Sequence, residues 1–122
     1  MVEVICDTSF LIHLSTRKIK NIDSVNTEIG QIQFVVPSVV LSELERLSKT
    51  QDKKQDATTT LELARTLKTI EMSGKFADQV IIEHVRKRGG IIGTMDKELK
   101  NKIKSLNGSV MSFSNDKIVL ES

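Results

Sequence analysis

The sequence predicts an α/β fold, a single domain over residues 1–122 with a mostly parallel central sheet in a three-layer α/β/α arrangement. Three observations lead there. The runs VEVIC, IQFVV and IIGTM are short and nearly all apolar, and they read as strands buried on both faces. Apolar residues at helical spacing follow each of them. Strand and helix patterns then alternate along the chain, the order that builds a parallel sheet.

Taken in order, residues 2–6 form the first strand. Residues 8–17 switch to helical spacing, with Phe10, Leu11 and Leu14 on one side. Residues 18–28 continue that period through Ile19, Ile22 and Val25, and Gly30 stops it. Residues 32–36 are the second strand. Pro37 ends it, and Ser38 caps a helix that places Val40, Leu44 and Leu47 on one face. Residues 49–56, KTQDKKQD, are the most polar stretch and read as an exposed loop. Residues 57–70 read as a helix with Leu61, Ala64 and Leu67 inside. MSGK makes a turn, and residues 76–88 form a helix stopped by Gly89 and Gly90. The third strand is residues 91–95 and a short basic helix is 97–104. A turn at Asn107 and Gly108 leads to final strands at 110–113 and 118–120. No internal repeat, linker or low-complexity segment interrupts this pattern.

A chain of 122 residues can bury a real core. Its net charge of +2 excludes a protein that coats nucleic acid by bulk charge, though a mildly basic balance suits a polyanionic substrate. Cys6 is the one cysteine, so no internal disulfide forms, as fits a reducing cytosol. The opening goes straight into a strand and no run reaches the length of a membrane span, so the expected protein is soluble and cytoplasmic.

The chemistry lies in four acids at the edges of apolar runs: Asp7, Glu43, Asp78 and Asp96. Asp7 and Asp96 end strands, where open parallel sheets bind ligands. Glu43 and Asp78 lie in the helical patterns beside them. Carboxylates converging on one point repel each other and lose hydration unless a divalent cation neutralises them. Oxygen donors of this kind favour Mg2+ or Mn2+, and no Cys or His cluster has zinc spacing. Each acid also has a structural reading. Asp7 and Asp96 can cap helices, Asp78 can complement a helix dipole, and Glu43 can be an exposed helical residue.

These residues carry a resemblance. VICDTSFLIHL, VPSVVLSELERL, FADQVIIEHVRKRGG and IIGTMDKELKNKI resemble, in that order, the four motifs of PIN-domain nucleases over essentially the whole chain. The resemblance implies metal-holding, catalytic roles for Asp7, Glu43, Asp78 and Asp96, with Ser9 and Thr94 as auxiliary residues. Ser9 stands where many members have Asn, and Met95 replaces a commonly polar or basic residue. It further implies a homodimer, for which the helical patterns at 18–28 and 57–70 offer apolar faces, and an antitoxin or a ribosome-assembly partner. DKELKNKIK is closer to ribosomal-RNA-processing members than to toxins.

The expected function is therefore endoribonuclease activity, with metal-activated water attacking the phosphodiester. A PIN-like scaffold that binds RNA or protein without cleaving is the alternative. Dehalogenase-type phosphatases fit poorly, because Ser9 occupies the place of their second Asp. Arg86, Lys97, Lys100 and Lys104 are the expected RNA contacts, with Lys87 and Arg88 beside Arg86. Tyr and Trp are absent and Phe occurs four times, which argues against base-stacking platforms. His13, His84 and Cys6 are expected to pack or face solvent rather than react.

Overall fold

β1 (Val2–Cys6) runs through the middle of the sheet because its residues are apolar toward both faces. Val4 and Cys6 point into one core and Ile5 into the other. The computed structural model describes residues 2–20, 30–50, 52, 54–72 and 74–121. Within them the order is β1, α1 (Thr8–Thr16), β2 (Ile32–Pro37), α2 (Ser38–Leu47), α3 (Lys54–Ala64), β3 (Lys68–Ile70), α4 (Ala77–Arg88), β4 (Ile91–Gly93), α5 (Lys97–Ser105), β5 (Ser109–Ser114) and β6 (Lys117–Glu121).

The strands form one sheet in the order β3-β2-β1-β4-β5-β6. All pairings are parallel except β5 with β6, a hairpin turned by Asn115 and Asp116. Both turn residues have φ above zero, at 52° and 61°, which matches the twist of a two-residue hairpin. One core joins α1, α2 and α3 to Val4, Val36, Met111 and Phe113. The opposite core joins Ile81 and Val85 of α4 and Leu99 and Ile103 of α5 to Ile5, Val35 and Ile92. The i,i+4 pairs Val40/Leu44, Ile81/Val85 and Leu99/Ile103 supply the buried stripes. Among the described residues, no helix is long and apolar enough to cross a membrane.

Several boundaries differ from the sequence expectation. The helix expected over 57–70 ends at Ala64, and Lys68–Ile70 pairs instead with Val35–Pro37 as an edge strand. KTI shows no apolar alternation, because Lys68 and Thr69 are exposed at the edge of the sheet. The start of α3 takes in Lys54, Gln55 and Asp56, which were expected in a loop. Asp56 in the first turn suits the positive end of the helix dipole. Ser38 is the first helical residue rather than the cap. Its Oγ donates to the Met72 carbonyl at 3.1 Å and accepts the Met72 N–H at 3.0 Å. The third strand stops at Gly93, leaving Thr94 to Asp96 as a loop, and Phe76 precedes α4 rather than opening it. Lys18 to Lys20 are not helical, and the rest of the pattern at 18–28 lies outside the described residues. Leu61 and Ala64 lie inside as expected, with Ala57 beside them, so this apolar face of the helix is covered within the chain.

Gly93 is required by packing. A Cβ there would lie 2.9 Å from the ring of Phe10, which is itself fully buried. Gly93→Ala is expected to cost about 1–3 kcal/mol through overpacking, read as a lower denaturant midpoint at unchanged slope.

Candidate active site

The strand order reverses direction at β1, since the chain moves outward through β2 and β3 and then returns to β4 on β1's other side. Asp7 follows β1 and Thr94 to Asp96 follow β4, so both loops leave adjacent carboxyl ends at this switch point. The Asp7 N–H donates to the Gly93 carbonyl at 3.0 Å and ties the two loops together.

Asp7 is buried, and three donors fix its carboxylate. Oδ1 accepts from Ser9 Oγ at 2.8 Å and from the Phe10 N–H at 2.8 Å. Oδ2 accepts a short hydrogen bond from Thr94 Oγ1. The two hydroxyls face both ways: Ser9 Oγ accepts the Met95 N–H at 3.0 Å, and Thr94 Oγ1 accepts the Asp96 N–H at 3.0 Å. Asp7 therefore caps α1 and anchors the β4 loop at once. Its Oδ1 has both lone pairs engaged, while Oδ2 retains one for a ligand. Burial raises the Asp7 pKa from its ordinary value against the pull of the three donors, and nearby Asp78 raises it further.

Asp96 caps α5, its Oδ1 accepting from the Glu98 and Leu99 N–H groups at 2.9 and 3.3 Å. Asp78 is exposed in the first turn of α4, and its pKa is raised by partial desolvation first and by Asp96 next. Glu43 is half-buried, one position before the core residue Leu44 of α2. These four acids line one cavity of about 250 Å³ together with Thr8, Ser9 and Ala77. The capping readings of Asp7 and Asp96 thus hold alongside their place at the cavity.

Among the described residues, no three Asp, Glu, His or Cys side chains are gathered closely enough to hold a metal ion as they stand. Mutual repulsion and the cap hydrogen bonds of Asp7 and Asp96 both work against closer approach. The donor set nevertheless suits a hard divalent cation: four carboxylates surround the cavity, with no thiol or imidazole among its lining residues. Thr8 Oγ1, on the same wall, is buried without a hydrogen-bond partner, a costly state that a ligand oxygen or water would relieve.

The expected basic contacts are placed unevenly. Lys97 is exposed directly after Asp96. Lys100 and Lys104 pair with Glu121 of β6 at 2.6 and 3.6 Å, and Arg86 pairs with Glu83 at 2.8 Å. Three cations not singled out from the sequence, Arg46, Lys75 and Lys102, border a neighbouring cavity of about 600 Å³ that shares Glu43, Ala77 and Asp78 with the first. Lys102 also lowers the Asp78 pKa, opposing the acids. Cys6 is fully buried and its thiol pKa is pushed up by burial, which fits a packing role. His13 stacks on Phe113 with ring centroids 4.4 Å apart and meets Asp116 at 3.2 Å.

The Asp78 shift sets a pH dependence. Its folded pKa lies above its ordinary value, so ionising it destabilises the fold; that cost is absent below the ordinary value and appears as pH rises through the folded one. In chelator at pH 7, Asp78→Asn should melt at or above wild type. The gap should close as pH falls toward the ordinary value of 3.8. Thermal melts across that range check this, and a variant several degrees below wild type at pH 7 would point to a lost helix-end interaction instead.

A family model described as a PIN like domain matches residues 4–115. Ribonuclease VapC4 from Methanocaldococcus jannaschii is 32% identical over 121 residues, covering 91% of this chain and 89% of that protein. Among solved structures, that of the PIN domain endonuclease Utp24 is similar with a TM-score of 0.78 and 25% identity, covering 98% of this chain and 90% of that chain. A domain of a functionally unknown protein from Methanocaldococcus jannaschii has a TM-score of 0.65 at 16% identity, covering 93% of this chain and 92% of its own, a likeness of fold.

Proposed function

The chain belongs to the PIN-like domain family, and on that premise we propose that it is a Mg2+- or Mn2+-dependent endoribonuclease that hydrolyses RNA phosphodiesters with water as nucleophile. The observation that carries this reading is the meeting of Asp7, Glu43, Asp78 and Asp96 around one cavity at the switch point of the sheet. The similarity to a ribonuclease and to an endonuclease supports it.

In this reading Asp7, Glu43, Asp78 and Asp96 hold the cation. Bound there, it would neutralise carboxylates and phosphate together and supply the Lewis acidity that activates water. Ser9 and Thr94 are positioning residues, because each hydroxyl holds one oxygen of Asp7 and one backbone N–H of the β4 loop. Lys97, exposed directly after Asp96, would meet a substrate phosphate. Arg86, Lys100 and Lys104 would meet RNA phosphates by exchanging their present carboxylate partners. The whole of residues 1–122 acts as one cytoplasmic unit in this reading. The role is RNA processing with a ribosome-assembly partner or toxin action with an antitoxin, and the likeness of DKELKNKIK to ribosomal-RNA-processing members supports the first. A homodimer belongs to the same proposal, and sedimentation at high micromolar concentration tests it.

End-labelled RNA incubated with Mn2+ or Mg2+ tests the reaction. Internal cuts should appear, chelator should abolish them, and no 2′,3′-cyclic phosphate should form. A 2′-deoxy residue at the cleaved position should still be cut, because the 2′-hydroxyl is not the nucleophile. RNA binding with no metal-dependent cleavage would favour the non-catalytic scaffold.

A further inference from the structure

Phe76 is out of place for a side chain with no ligand. Of the four phenylalanines, Phe10 and Phe113 are buried and Phe34 packs against the same core. Phe76 is 53% exposed. It sits at the N-cap position of α4, where its side chain can make no cap hydrogen bond. The other large exposed hydrophobics among the described residues, Val119 and Leu120, belong to β6 at the sheet edge. Phe76 borders Ala77 and Ile82 in the cavity of about 600 Å³ and Met72 and Val80 in another of about 410 Å³, and it is the one large hydrophobic among them that is exposed.

Its surroundings carry cations together with the acids Glu43 and Asp78. Lys75 Nζ lies 5.6 Å from the ring centroid, and Phe76 lines the cavity of about 600 Å³ with Arg46, Lys75 and Lys102. Glu43 and Asp78 border both this cavity and the acid-lined one, so the ring stands one step from the proposed reaction site. An exposed ring with cations on the same cavity wall can hold an unpaired nucleotide: the ring stacks a base and the cations meet phosphates. A duplex keeps its bases stacked on each other and cannot offer a free face.

We propose that Phe76 stacks an unpaired base next to the cleaved phosphodiester, with Arg46, Lys75 and Lys102 holding neighbouring phosphates. This rests on the endoribonuclease reading and adds a base-contacting residue to it. It reverses the expectation, drawn from the scarcity of aromatic residues, that no stacking platform exists. One ring suffices when the fold leaves it outside the core beside the site.

Binding in chelator at low salt tests this without requiring cleavage. A short oligoadenylate and an RNA duplex of the same length serve as probes. Phe76→Ala should weaken oligoadenylate binding about 5- to 150-fold, the loss expected for one stacked base, and leave duplex binding unchanged. Because the chain has neither Trp nor Tyr, Phe76→Trp introduces the sole indole, and its emission should be quenched by oligoadenylate and not by duplex. Equal oligoadenylate binding by wild type and Phe76→Ala, or an unquenched indole, overturns the inference while leaving the nuclease reading standing. A change in sedimentation of Phe76→Ala at high micromolar concentration with unaltered RNA affinity overturns it in favour of a second copy of this chain. Failure of wild type to bind oligoadenylate in chelator overturns the inference, while cleavage with Mn2+ on the same preparation decides the nuclease reading separately.

Discussion

Asp7→Asn should lower metal-dependent RNA cleavage by at least about a hundredfold, since even partners one layer outside a metal ligand are worth about 10- to 100-fold. The fold should survive. Asn caps helices as well as Asp does, and its amide oxygen can still accept from Ser9 and from the Phe10 N–H. The amide nitrogen would face Thr94 Oγ1, which has acceptor capacity beyond the Asp96 N–H. The charge removed is one that burial already disfavours. Initial rates with Mn2+ and melts in chelator, run on the same preparations, separate the two effects. Lost activity with an unchanged or higher melting temperature places Asp7 in the chemistry. Wild-type rates in the variant would remove Asp7 from it.

Phe10→Ala should cost about 3–5 kcal/mol, a large share of the 5–15 kcal/mol typical of a whole domain. The ring is fully buried. It stacks on Phe113 with centroids 4.7 Å apart, meets Phe34 at 5.8 Å and covers the backbone of Gly93. Its removal leaves a cavity between α1 and the sheet that the surrounding strands cannot collapse to fill. The loss should also reach the site, because the Phe10 N–H is one of the three donors that orient Asp7. Urea unfolding should show the lower midpoint, and residual cleavage measured well below that midpoint should fall as well. A loss under about 1 kcal/mol would mean that α1 closes onto the sheet without the ring.

The strand-end acids were legible because β1 and β4 are buried runs, and an ionisable residue immediately beyond such a run stands at a sheet's carboxyl edge whatever the helices do. The i,i+4 stripes of α2, α4 and α5 were legible for the same reason: burial imposes a period. β3 was not. Lys68 and Thr69 are exposed, and only pairing with Val35 and Val36 makes the segment a strand. Nor were Arg46, Lys75 and Lys102, which come from α2, the segment before α4, and α5. An exposed cation looks the same in sequence whether it faces solvent or a cavity. Lys100 and Lys104 share a helical face after Asp96, yet Glu121 on the last strand draws them to itself. The Ser9 and Thr94 relays join residues more than eighty positions apart, so motif order could point to them while their hydrogen bonds waited on the fold.

Titration of the metal-free protein with Mn2+ at neutral pH bears most directly on the claim that these acids form a cation site. Calorimetry should show binding by wild type and none by the Asp7→Asn/Asp96→Asn double variant, which keeps both helix caps in amide form. Unchanged Mn2+ binding by a folded double variant would contradict the account and leave the two aspartates as caps alone.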